Sequence, residues 1–443
     1  MRLPNLRIFE TISEIVNIIT SRERLKQVLS TRLYSNAFYL MLNTAVMSLL
    51  GFFFWMVAAR FYSEAEVGFS SAIISAISLL ALLSLVGLNS SLIRFLPQTD
   101  KPHELINSSF TLSGLISLVV AGIFLVGLNF WSPTLNFITK NAVFTLAFIA
   151  FTLAWTLSSL MDSVFLAKRR AEFTLSKNTI FSLLKIPLPI LLVLFFHAFG
   201  IVASWGIAIS VALALSLFLF LPRVQNPYKP VPSLNLSLIK SMRQYSGGNY
   251  LANLLIRAPT LILPVMVVNL LGAEQNAYFY IAWMIAALLF AIPGGVSSSL
   301  FAEGSHFEEK LRENVIKSLK FTFLLVMPAV ILLILVGKWL LLAFGQSYSA
   351  NALHLLQILA LSSLPLAINY IYTSILRVTG RIRELIVIWG VITVTVLLVS
   401  GLIMPATGII GIGYAWLGVQ VAVAIYILSA RELTKINGSD GNE

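Results

Sequence analysis

The chain has 443 residues, of which 58% are hydrophobic and only 11% charged, and its mean hydropathy is +0.90. Soluble domains carry roughly 25% charged residues, so these values exclude a water-soluble globule and indicate a membrane protein. There is no cysteine and the four histidines are widely spaced, which leaves no disulfide, thiolate site or metal pair and implies no cofactor.

Residues 1–32, "MRLPNLRIFETISEIVNIITSRERLKQVLSTR", place Ile8, Ile12, Ile15 and Ile19 at helical spacing with charges on the other face. That is the pattern of an interfacial amphipathic helix. Glu10 and Glu14 interrupt the apolar core that a signal peptide needs, so no cleavage is expected. Twelve apolar stretches follow, each able to cross about 30 Å of hydrocarbon as a helix. Their expected bounds are 36–60, 67–96, 104–128, 141–167, 172–198, 200–221, 246–271, 275–302, 313–336, 351–378, 382–404 and 406–430.

Lysine and arginine concentrate on the cytoplasmic side of membranes. With the N-terminus inside, the inner breaks and span ends hold Arg22, Arg24 and Lys26, then Lys168, Arg169, Arg170 and Lys177, then Arg377, Arg381 and Arg383. The outer side keeps only Arg60, Lys140 and Lys338. An odd error in the span count would scramble this alternation. Twelve spans with both termini cytoplasmic, in the cell membrane, are therefore expected. The net charge of +12 follows from topology, and nucleic acid is not needed as a partner.

The longest polar break, "PRVQNPYKPVPSLNLSLIKSMRQYS", divides the spans into two sixes. The expected organisation is an interfacial segment at 1–32, a first half at 33–221, a cytoplasmic linker at 222–245, a second half at 246–430 and a tail at 431–443. The halves echo each other: "YSNAFYLMLN" opens the first span and "YSGGNYLANL" the seventh, and Ser163 stands as far from Ser374 as Tyr34 from Tyr245. An even number of spans per half gives both halves the same orientation, related by a pseudo-twofold axis along the membrane normal.

Two cations fall deep inside spans. Arg257, in "NLLIRAPTLILP", lies about eleven residues into its span, about 16 Å at 1.5 Å per residue, and Lys185 in "SLLKIPLPI" lies at similar depth. A mid-membrane Arg or Lys costs about 2.5–3.5 kcal/mol on insertion scales, so such residues face a wet cavity or a partner. One reading is structural, with the cations held by an acid or by carbonyls freed at Pro187, Pro189, Pro259 and Pro264. The preferred reading puts Arg257 and Lys185 on a central cavity that receives an anionic head group, because guanidinium binds phosphate bidentately and ammonium as a point charge. Asn43, Asn253 and Asn249 would add hydrogen bonds to sugars or to other helices. Asp162, toward the cytoplasmic end of the fourth span, is either an ion-coupling site or a salt bridge to the Lys168, Arg169, Arg170 cluster. Pro293, Pro328 and Pro365 predict bends, and Gly294 with Gly295 marks a point of flexing or close packing.

The "YSNAFYLMLN…AARFYSEAEVGFSSAI" opening, the mid-chain "YSGGNYLANLLIRAPTLILPVMVVNLLGAEQNAYFYIA" and "PGGVSSSLFAEGSH" resemble the polysaccharide exporters and oligosaccharide-lipid flippases of the multidrug/oligosaccharidyl-lipid/polysaccharide exporter superfamily. The resemblance covers the chain after about residue 33. It implies an all-α, V-shaped, alternating-access bundle whose cationic cavity moves a polyprenyl-phosphate-linked glycan across the cytoplasmic membrane. It also implies membrane lipids as surroundings, a monomer, and polymerase or glycosyltransferase partners. The phosphate-facing role carries over only to Arg257 and Lys185. The chain departs from the fourteen-span peptidoglycan-precursor flippases by lacking an extra pair of spans. It departs from drug/sodium antiporters by lacking an acid in the first span. An organic-cation antiporter would need a buried carboxylate, for which Asp162 is the candidate. A membrane-embedded glycan transferase would need acids on a sizeable outer loop, and the outer breaks carry little besides Glu64, Glu66 and Glu274. No enzymatic activity is expected.

Overall fold

A computed structural model of the chain describes residues 32–196, 198–305 and 310–429. The expected interfacial segment 1–32, apart from Arg32, and the tail 431–443 lie outside the described residues. Among those described there is no strand, and twelve helices are long and apolar enough to cross a membrane.

In the first half, α1 is Arg32–Phe61, α2 Glu64–Ser84, α3 Pro102–Val126 and α4 Ala142–Ala167. The α5 span is two segments, Ala171–Lys185 and Leu188–Phe196, and α6 runs from Ala198 through a π turn to Val224. In the second half the spans are α7 Leu236–Leu271, α8 Ala273–Gly304, α9 Leu311–Leu342, α10 Gln346–Val378, α11 Ile382–Thr407 and α12 Ile409–Ser429.

Local chemistry fixes the ends. A capping box starts α2: the Ser63 hydroxyl accepts from the Glu66 amide at 3.4 Å, and the Glu66 carboxylate accepts from the Ser63 amide at 2.9 Å. Pro102 sits in the first turn of α3, where its missing N–H has no intrahelical use. The Asn141 side chain accepts from the Val143 amide at 2.9 Å to cap α4. Pro189 lacks the amide that would bond back to Lys185, and α5 breaks there. By contrast Pro259, Pro264, Pro293, Pro328 and Pro365 lie inside helices that continue through them.

Three expectations need correction. The second span, expected at 67–96, is not one helix: α2 stops at Ser84, and a separate helix, Leu88–Phe95, follows. Val86 and Gly87 between them have φ of 46° and 79°, and such left-handed residues terminate a helix. Next, a Cβ on Gly294 or Gly295 would meet nothing within 4 Å, so of the two roles expected of these glycines close packing is removed and flexing is left. Finally, only 225–235 of the expected linker 222–245 lies between helices. That strap is tied to α3: the Tyr228 hydroxyl donates to Asn107 Oδ1 at 2.6 Å, and Asn107 Nδ2 donates to the Lys229 carbonyl at 3.1 Å. Burial pushes the Tyr228 phenol up to about 12, so it remains a donor at neutral pH.

Six spans repeat as a unit. In the first half α1 packs on α5, α2 and α3 on α4, and α4 and α5 on α6; in the second, α7 packs on α11, α8 and α9 on α10, and α10 and α11 on α12. One hydroxyl donor between helices recurs at the matching position, with a different acceptor. The Ser182 hydroxyl donates to the Met47 sulfur at 3.1 Å between α5 and α1, and the Thr393 hydroxyl to the Leu255 carbonyl at 2.6 Å between α11 and α7.

The halves meet most tightly at the end of the bundle remote from the termini. There Asn276 Nδ2 donates to the Gly68 carbonyl at 2.7 Å and to Ser71 Oγ at 3.0 Å. A Cβ on Gly68 would lie 1.7 Å from the Ala273 carbonyl oxygen, so backbone packs on backbone. Trp55 meets Tyr280 with ring centroids 4.7 Å apart, and Phe52 meets Phe344 at 4.9 Å. Arg60, at the end of α1, donates to the Ala343 and Leu342 carbonyls at the end of α9, both at 2.9 Å. These carbonyls are the unpaired acceptors and negative pole of a helix C-terminus, where a guanidinium is favoured.

Candidate functional site

On the other side of that seal, toward the termini, lies a cavity of about 670 Å³, within the range of ligand sites. Both halves line it. The first contributes Met47 from α1, Ser78 and Leu82 from α2, Trp155, Ser158, Ser159 and Asp162 from α4, and Lys177 and Asn178 from α5. The second contributes Asn253, Arg257, Thr260 and Leu261 from α7. Asn89, from the helix after α2, completes the polar lining.

Arg257 is exposed to this cavity, and its guanidinium has no ion-pair or hydrogen-bond partner among the described residues. One turn earlier, Asn253 Oδ1 accepts from Arg377 Nη2 at 3.0 Å, which brings a second guanidinium close to the rim. The two prolines beside Arg257 do not break α7, so the arginine's depth is set by an intact helix.

Facing it is an ion pair. Lys177 Nζ donates to Asp162 Oδ2 at 2.8 Å, to Ser158 Oγ at 2.7 Å and to the Ser158 carbonyl at 2.9 Å, and only 1% of the lysine side chain is exposed. Its neighbour Asn178 donates to Asn43 Oδ1 at 2.9 Å, a bond between α5 and α1. Asp162 Oδ1 is buried without a hydrogen-bond partner.

The predicted site residues divide on this geometry. Arg257, Asn253 and Asp162 line the cavity. Asn43 reaches it through Asn178, and Asn249, one turn before Asn253, is outside the lining. Lys185 is the clear correction: it is buried, and its ammonium lies 5.2 Å from the Phe54 ring centroid and 4.5 Å from that of Phe181. Eight residues at 3.6 per turn leave Lys185 rotated roughly 80° from Lys177, away from the cavity and onto aromatic faces that attract a cation. Asp162 also has a different partner from the one expected, Lys177 in place of the Lys168, Arg169, Arg170 cluster. The alternation of basic breaks groups Lys177 with the cytoplasmic charges, and only the packing of α4 on α5 turns it inward. The available signal is its company, because Lys177 and Asn178 fall at helical spacing with Phe181 and Ser182.

The sequence profile of a family described as "Polysaccharide biosynthesis protein" matches residues 57–353, more than half of the chain. The chain belongs to this family. A putative O-antigen transporter of Shigella flexneri is 25% identical over 166 residues, 35% of this chain and 40% of that relative, so the match spans about two fifths of the relative's length. Among solved structures, a lipid II flippase MurJ in an inward closed conformation superposes with a TM-score of 0.71 at 13% identity, covering 89% of each chain. A multidrug resistance MATE family transporter of the MOP superfamily, inward-facing, gives 0.69 at 15% identity over 89% of this chain and 96% of that one. These likenesses establish the two-half helical fold of the chain. Its relatives are transporters and flippases.

Proposed function

We propose that this exporter moves a polyprenyl-phosphate-linked oligosaccharide, a polysaccharide precursor, across the cytoplasmic membrane by alternating access. The observation that carries the reading is Arg257: a guanidinium at mid-helix depth, open to a cavity shared by both halves, with no counter-charge of its own. Removing a charge from water without a partner is unfavourable, and an anionic head group would supply the partner. Asn253, Asn89, Ser78 and Thr260 offer hydrogen bonds to phosphate or sugar around it, and Asn43 supports this set through Asn178.

With the basic segments on the cytoplasmic side, both termini are inside, the sealed end faces outward and the cavity accepts substrate from the cytoplasm. The two six-helix halves then rock about the strap 225–235. In this reading the protein acts as a monomer, carries out no catalysis, and receives its cargo from glycosyltransferases or hands it to a polymerase. The organic-cation antiporter alternative is disfavoured because, among the described residues, the one acid in the cavity lining is already paired with Lys177.

The test is translocation of a labelled polyprenyl-diphosphate oligosaccharide into proteoliposomes. Arg257→Ala is expected to reduce the rate at least tenfold (about 1.4 kcal/mol) and Arg257→Lys less. Equal rates for wild type and Arg257→Ala in a folded protein would sink the cationic-cavity reading.

A further inference from the structure

Among the described residues Lys177 is the one other cation in the cavity lining, and it has no free valence. An ammonium has three N–H donors, and here Asp162 Oδ2, Ser158 Oγ and the Ser158 carbonyl take them all. Within the lining an anion entering the cavity therefore meets one free cation, Arg257, with Arg377 behind Asn253 at the rim. The charge count points the same way: Arg257 and Lys177 against Asp162 leave a single net positive charge in the lining, whereas a diphosphate diester is ionised at both phosphates. Asp162 itself is incompletely satisfied. Its Oδ2 is held by Lys177, while Oδ1 is buried and unpartnered, which is the position a proton would occupy.

We propose that Asp162 is a proton-operated lock on a second phosphate ligand, Lys177, so that one proton is taken up with each diphosphate head group. This rests on the anion-binding reading of the cavity. A proton from the aqueous side of the cavity adds to Asp162 Oδ1, the carboxylate becomes a neutral acid, and its hold on the ammonium falls to that of a weak neutral acceptor. Lys177 then donates to a phosphoryl oxygen in place of Asp162, and the lining, now doubly positive, balances the bound diphosphate.

The other charged groups on elements packed against α4 do not share this position. Lys168 lies at its C-terminal end, Arg94 on the short helix after α2, and Glu104 at the start of α3, paired with Lys101. Arg170 and Glu172 pair at the start of α5, Lys185 lies between Phe54 and Phe181, and Arg223 ends α6. Glu64 and Glu66 sit at the far end of α2. Across the cavity α7 presents Arg257, and Arg377 of α10 is held to Asn253 at the rim.

The experiment is calorimetric binding of a short-chain prenyl diphospho-sugar, whose phosphates are fully ionised across the neutral range. It is run from mildly acidic to mildly alkaline pH, in buffers of differing ionisation enthalpy, on the detergent-solubilised full chain. Wild type should take up about one proton per ligand, and above the titration point of Asp162 its affinity should fall about tenfold per pH unit. Asp162→Asn should bind at high pH as wild type does at low pH, with no proton uptake, and Lys177→Gln should bind weakly and independently of pH. Binding by wild type that needs Arg257 but takes up no proton overturns the lock and leaves the anion site standing. A folded Asp162→Asn that still takes up a proton overturns the lock in the same way. A folded wild type that binds no diphospho-sugar overturns both the lock and the anion site beneath it.

Discussion

At matching positions in α4 and α5 the first half carries Asp162 and Lys177; in α10 and α11 the second half carries Thr373 and Ile388, at the same spacing that separates Ser163 from Ser374. The first half makes an ion pair at this point, while the second makes a neutral bond, Trp389 Nε1 donating to Thr373 Oγ1 at 2.9 Å. Arg257 shows the converse, because its counterpart in α1 is Val46. Each half thus adds one cation where the other is aliphatic or neutral. The lesson is that the duplicated frame supplies packing and the departures from the duplication supply the site.

That contrast can be broken by grafting. Asp162→Thr with Lys177→Ile, which gives the first half the residues of the second, is expected to abolish glycan translocation, at least a hundredfold (about 2.7 kcal/mol). Stability should stay level or rise, since replacing a buried ion pair with apolar packing is often neutral or stabilising. Thermal unfolding and transport measured on the same preparation check it, and retained transport would show that the asymmetry is incidental. Lys177→Ile alone should be worse for stability than the graft. It strands Asp162, although 35% of the side chain as a whole stays open, so the cost should sit below the roughly 3–5 kcal/mol of a fully buried unpaired charge. Chemical denaturation in detergent reads that difference.

In the second half, Thr373→Val removes an acceptor from the buried Trp389 indole and should cost about 1–2 kcal/mol with unchanged transport. A transport defect there would mean that the neutral contact also belongs to the site. Smallest of all, Lys185→Met should leave translocation within about twofold and stability within about 1 kcal/mol, because a flexible apolar chain can fill the place between Phe54 and Phe181. A large loss of transport in that variant would return Lys185 to the machinery.

The spans and the twofold repeat were legible in the sequence because both depend on one-dimensional quantities: the length of apolar runs, the alternation of basic breaks and the recurrence of YS-N/G-type openings. Arg257 was legible for the same reason, since its depth along a helix is a count of residues. Lys185 and Lys177 were exchanged in role because lateral direction is not such a count. Whether a side chain on α5 faces α1 or the cavity depends on how α5 rolls against its neighbours, and a rotation of under a quarter turn decides it. The end of α2 escaped for a different reason. Val86 is β-branched and seldom adopts a positive φ, so the left-handed turn that parts α2 from Leu88–Phe95 has no compositional mark at its first residue.

The end of α1 remote from the termini, with the residue that follows it, holds two grips two residues apart. Tyr62 donates to the Pro189 carbonyl at 2.8 Å, a buried bond that fastens the tip to the broken α5 of its own half, while Arg60 clasps the end of α9 in the other half through exposed bonds. Buried and exposed fastenings of this kind make a seam with a defined tear line. When that end of the bundle parts, the tear should run between Arg60 and α9, and α1 should leave with the first half as a rigid edge.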